Sequence, residues 1–192
     1  MKRSETFVQA FLDILVDQKI ISPEQITDIR NKFASSSIAQ FDEFLVDEGL
    51  AEPEQILIAL GLYFHVPHFD VVGHFFESFL LHKYPKGFLL RNGVIPLVVE
   101  GDILTVVAAE PEYPGLASAM EQYASYDINY LVGIRRDIED AVKEFYDESV
   151  TQDVVNDDSR IDHAYEISLT EIEEEENEAA PAWIEEKAQE ED

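Results

Sequence analysis

Leu15-Val16-Asp17-Gln18-Lys19-Ile20-Ile21-Ser22-Pro23-Glu24-Gln25-Ile26 returns thirty residues later as Leu45-Val46-Asp47-Glu48-Gly49-Leu50-Ala51-Glu52-Pro53-Glu54-Gln55-Ile56. Seven of the twelve positions are identical, and Phe11 and Phe41 align at the same offset. A period of this length marks a repeated supersecondary unit. Phe7, Phe11 and Leu15 recur every four residues, the spacing of one helix face. Ser22-Pro23-Glu24-Gln25 is a start signal, with Ser22 as N-cap, Pro23 at the first helical position and Gln25 reaching back as capping-box partner. Ile26, Ile29 and Phe33 line the helix that follows. Phe41, Phe44 and Leu45 repeat the pattern, Gly49 supplies a left-handed turn, and Ile56, Ala59, Leu60 and Tyr63 or Phe64 continue it. Each unit therefore reads as an αα-hairpin, and neither buries its apolar face alone.

Beyond Pro67 the pattern changes. His74 to Leu81 reads as a short apolar helix, and Pro85 to Arg91 as another, stopped by Asn92-Gly93. Val94 to Val99 and Ile103 to Ala109 are β-branched runs around a Gly-containing loop, a hairpin. Pro114 to Ser125 reads as helix, Asp127 to Val132 as strand and Arg136 to Tyr146 as a closing helix. The expected fold class is α+β: an N-terminal pair of αα-hairpin repeats (1–68), a small three-stranded ββαβα layer (69–146), then a disordered acidic tail (147–192). The tail holds 18 acids and two bases, a net of −16 out of −28 for the 192 residues. Such a segment repels itself and buries too little apolar surface to offset its ordering entropy.

Composition excludes several functions. With 13 Lys+Arg against 41 Asp+Glu, the chain is ill suited to nucleic-acid backbone or anionic lipid. Without cysteine it has no disulfide, thiol nucleophile or thiolate zinc site, which fits a reducing cytosol. Apolar runs stop at strand length, short of the roughly 18 residues a spanning helix needs. Asp13 and Asp17 interrupt the N-terminal apolar residues, unlike a secretory signal. A cytoplasmic location is expected, with membrane contact only through a partner. The chain also has no G-x-x-x-x-G-K-[ST], G-x-G-x-x-G or G-x-S-x-G, so nucleotide hydrolysis, dinucleotide chemistry and acyl transfer lack their central devices.

Few residues remain as site candidates. His65, His68, Asp70, His74 and His82 resemble a metal cluster, but their spacing fits no common pattern, and no metal or other cofactor is expected. Asp42 with Glu43, Asp47 with Glu48 and Glu110 with Glu112 are neighbours that so acidic a chain produces without catalysis. Arg135-Arg136 opens the last helix, where positive charge opposes the macrodipole. The pair is a candidate site for an acidic partner or the chain's own tail. Trp183 and Ile184, beside Pro181, form an apolar island of the kind that orders on docking, and Tyr165, Ile167 and Leu169 form another.

Taken together, the two Leu-Val-Asp-x5-Pro-Glu-Gln-Ile units, Phe64-His65-Val66-Pro67-His68-Phe69-Asp70, Val94-Ile95-Pro96-Leu97, Leu104 to Pro111 and Asp127 to Tyr146 resemble the N-terminal domain of the GspE/PilB/MshE secretion and pilus ATPases. The resemblance covers residues 11–146. It implies a non-catalytic module that binds an inner-membrane platform or a regulator of a type II secretion or type IV pilus machine, here as a stand-alone protein lacking the motor. A subset of that family binds cyclic di-GMP through two R-L-G-x-x-L-V-x-x-G motifs ending in Gln. Here the Arg-Leu-Gly positions hold Ala10-Phe11-Leu12 and Gln40-Phe41-Asp42, and the Gln positions hold Phe33 and Tyr63, departures that argue against that ligand. Two alternatives follow: a cyclic di-GMP sensor with a degenerate motif, and an acidic decoy competing for basic surfaces.

Overall fold

A computed structural model describes residues 4–146, which fall within one compact unit. Helix α1 (Glu5–Asp17) starts at Ser4, whose side chain accepts the Phe7 N–H at 3.2 Å. Its four-residue stripe of Phe7, Phe11 and Leu15 is buried, widened by Val8 and Leu12. Ser22 to Gln25 forms the expected capping box, the Ser22 N–H donating to Gln25 Oε1 at 2.8 Å. The turn it opens, Pro23–Gln25, is 3-10, and α2 proper is Ile26–Ser35. In the second unit α3 is Phe41–Asp47 and α4 is Pro53–Phe64. There Glu52 replaces Ser22, and its N–H donates to Gln55 Oε1 at 2.9 Å.

The turns between the helices repeat bond for bond. Ile20 N–H reaches Leu15 O at 2.9 Å, as Leu50 N–H reaches Leu45 O at 2.9 Å. Both need one left-handed residue, supplied by Gly49 (φ 64) and, in the first copy, by Lys19 (φ 59). Aromatic rings then knit the copies together. Phe33 of α2 packs on Phe41 and Phe44 of α3 at 4.9 and 5.3 Å, and Phe7 of α1 on Tyr63 of α4 at 4.8 Å.

The second half follows with α5 (Ser78–Leu81), α6 (Lys86–Asn92), β1 (Val94–Glu100), β2 (Ile103–Ala108), α7 (Leu116–Glu121), β3 (Asp127–Val132) and α8 (residues 135–146). The sheet order is β1-β2-β3, with β1 antiparallel and β3 parallel to the central β2. Glu100 pairs with Ile103 across the tight turn Gly101-Asp102, and the register slips by one residue between Pro96 and Val98. One hydrophobic core fills the helical repeats and includes Val132 and Ile134. A second lies between the sheet and the helices of its own half.

Two expected helices are shorter than their apolar runs. His74 to Leu81 forms a helix only from Ser78. Asp70 Oδ1 first accepts the Val72 N–H at 2.9 Å, and burial then alternates, Phe75 out and Phe76 in, the two-residue period of extended chain. Of Pro114 to Ser125 only Leu116–Glu121 is helical, because the Leu116 N–H turns back to Tyr113 O at 3.1 Å before the helix begins. The proposed tail, 147–192, lies outside the described residues.

The matched turns generate a paired prediction. A side chain in the left-handed region costs roughly 1–2 kcal/mol, and nothing lies within 4 Å of a Cβ placed on Gly49. Urea unfolding is therefore expected to show Gly49→Ala losing about 1 kcal/mol and Lys19→Gly gaining a smaller amount, about 0.5 kcal/mol.

Candidate interaction site

Arg135 and Arg136 sit in the first turn of α8, where the sequence places them, but both are engaged by this chain's own carboxylates. Arg135 reaches Glu110 at 3.3 Å and Glu139 at 3.5 Å. Its guanidinium also lies on Gly93, where an added Cβ would stand 2.7 Å from Nη1 and push the guanidinium aside. Arg136 reaches back to the helical repeats, 2.9 Å from Asp47 and 3.8 Å from Glu43. The Asp47 hydrogen bond raises its already high pKa further, keeping it charged. The pair thus acts first as a strut from α8 to α3 and to the loop after β2. Asp42, whose sequence neighbour Glu43 is also acidic, is buried at 2% exposure rather than on a polar helix face. Burial likewise raises the pKa of Asp137 above the ordinary aspartate value. Asp70, Asp140 and Asp42 push it the same way and Arg136 opposes.

The histidines are spread over separate jobs. His65 caps α4 in the left-handed conformation. His68 pairs with Val132 at the end of β3. His74 packs edge-on between Phe69 and Phe76, at 5.2 and 4.8 Å. His82 Nε2 lies 3.3 Å from the Tyr146 carbonyl. Among the described residues no group of three or more His, Asp or Glu side chains could hold a metal ion. No helix among them is long and apolar enough to cross a membrane.

The repeat positions where a cyclic dinucleotide motif would end are filled by rings: Phe33 is 4% exposed and Tyr63 packs on Phe7 and Phe64. A feature that sequence reading missed lies around α5. Val72, Phe75 and Phe79 are left in solvent, next to Lys83. The sequence places Phe75 and Phe79 in one apolar helix, His74 to Leu81, whereas Phe75 precedes α5 and Phe79 lies on its exposed side. Trp183 and Ile184 lie outside the described residues.

The described residues thus form helical repeats followed by an α/β layer, joined by polar links such as Arg136 to Asp47, in a sequence without a phosphate loop. Residues 77–152 match the MshEN domain family. The match begins at the N-cap of α5. Among solved structures, MshE with cdg is 18% identical with a TM-score of 0.57, covering 71% of this chain and 98% of that one. Two crystal forms of the N-terminal domain of XpsE are 15% and 16% identical, with TM-scores of 0.40 and 0.49. They cover 74% and 76% of this chain and 97% and 99% of theirs. No curated protein matches the chain.

The raised pKa of Asp137 has a definite sign. Folding favours its protonated form, so its contribution is present at low pH and is lost as pH rises through the folded value. Asp137→Asn is expected to raise the urea midpoint at pH 7, and the gain should vanish below about pH 4, where aspartate protonates in either state. Equal midpoints at pH 7 would sink this reading of the cluster.

Proposed function

We infer that the protein is a non-catalytic interaction module that binds a platform or regulatory component of a type II secretion or type IV pilus machine. The observation that carries this is the MshEN match over residues 77–152 in a sequence without a phosphate-binding loop. Arg136, 40% exposed, is positioned to exchange Asp47 for an acidic group of the partner, with Arg135 anchoring the same helix end. Trp183 and Ile184 supply a second, separate contact. Binding through such a module leaves the chemistry to the partner, so the purified chain is expected to show no ATP turnover. Pull-downs with the full chain and with a chain ending at residue 146 are expected to recover the same platform component, more weakly in the second case. Measurable ATP hydrolysis would refute the non-catalytic half. Failure to recover any secretion or pilus component would refute the other.

A second reading has one observation in its favour. The solved MshE carries cdg and shares this fold, which runs against the argument from the missing Arg-Leu-Gly. In this reading the repeats sense cyclic di-GMP through a changed set of contacts. Titration calorimetry at about 100 μM ligand decides it, since binding tight enough to regulate gives clear heat at that concentration. With Ala10 and Gln40 in place of arginine, and with Phe33 and Tyr63 packed among core rings, the expected result is no heat.

A further inference from the structure

Residues 71–93 hold three bases, Lys83, Lys86 and Arg91, and one acid, Glu77. The rest of 1–146 holds 22 acids and eight bases. This positive island in a chain of net −28 coincides with large apolar side chains in solvent: Val72 at 69%, Phe75 at 75% and Phe79 at 59% exposure. Ring contacts join its parts. Phe75 meets Phe145 edge-on at 5.6 Å, and the next residue, Tyr146, meets His82 at 4.6 Å and lies 5.9 Å beneath Lys86 Nζ. Lys83 Nζ stands over two rings, Phe79 at 5.9 Å and Tyr126 at 5.5 Å. Lys32, Arg135, Arg136 and Lys143 are paired with carboxylates, whereas Lys83 has none within ion-pair reach among the described residues.

We propose that Val72, Phe75, Phe79 and Lys83 form a docking surface for a partner-protein segment carrying both acidic and bulky apolar side chains. The proposal rests on the interaction-module reading and names its surface. Exposed rings supply contact area at low entropy cost, and the cation held over two of them selects the sign of the charge. The rest of the body, with 22 acids against eight bases, repels an acidic segment on balance, so the island also sets where it lands. Past Tyr126 an open cleft lined by Asp102, Glu121, Ser125 and Asp127 turns acidic again, which fixes the segment's polarity: its acids stop at Lys83. A narrow segment touches only the island. A flat anionic bilayer would bring the acidic remainder within a Debye length, about 8–10 Å, of like charge.

The test is random-peptide display on the immobilised full chain, followed by anisotropy titration of the enriched peptides. Enrichment of Asp and Glu together with Leu, Phe or Trp is expected. Lys83→Glu and Phe79→Ser, both at exposed positions, are each expected to weaken the best peptide by about tenfold or more, with unchanged thermal melts. Enriched peptides that lack acids, or that bind both variants as tightly as the wild type, overturn the proposal. So does capture of the wild type, but not Lys83→Glu, by phosphatidylserine vesicles, which would make the surface a lipid site. The pull-down separates the two levels. A secretion component recovered equally by wild type and Lys83→Glu defeats this surface and leaves the interaction module standing. If the wild type recovers none, the module reading falls and the peptide result alone decides the surface.

Discussion

Two backbone hydrogen bonds at Val132 hold the two halves of the body in register. The Val132 N–H donates to Pro67 O and its carbonyl accepts the Phe69 N–H, both at 2.9 Å. The strand that ends there is thereby extended by the linker leaving the helical repeats, and Val132 and Ile134 enter the repeats' hydrophobic core. Immediately afterwards, Gly133 lies so close to β2 that an added Cβ would stand 2.7 Å from Val107 Cγ1. The chain therefore turns into α8 with little freedom, which is what places Arg136 against Asp47 and Phe145 against Phe75 and Phe76. The strut and the aromatic face both depend on that splice.

Much of this was legible in the sequence because it is local. The repeat fixes its own helices through spacing and caps, and Asp127 to Val132 reads as a strand from its alternation. What was not legible is non-local. Arg136 finds Asp47 across 89 positions, and Arg135 finds Glu110 across 25, so two arginines that read as an open anion site are largely satisfied within the chain. The run His74 to Leu81 looked helical because an apolar run has no visible period. Asp70 and Gly73 keep the chain before Ser78 out of a helix, and Phe75, in that extended stretch, faces solvent. The positive island could have been found by counting charge in windows, since Val71 to Gly93 holds three bases, Lys83, Lys86 and Arg91, and one acid, Glu77.

The charge of the chain takes on a different meaning once its cations are followed one by one. Arg135 and Arg136 are spent on internal geometry and Lys32 and Lys143 on local pairs with Asp28 and Asp140, while residues 71–93 concentrate Lys83, Lys86 and Arg91. A body of this net charge repels acidic partners over most of its surface. The surface proposed around α5 would admit such a partner at one place, which favours discrimination over affinity.

The register slip in β1 bears on how many such domains can crowd together. Strand β1 is an edge, and it carries Pro96, which has no N–H to offer, beside Leu97, the extra residue of the slip. An edge built this way is a poor template for a neighbouring copy's strand. Copies brought close together are thereby discouraged from pairing through this edge of the sheet.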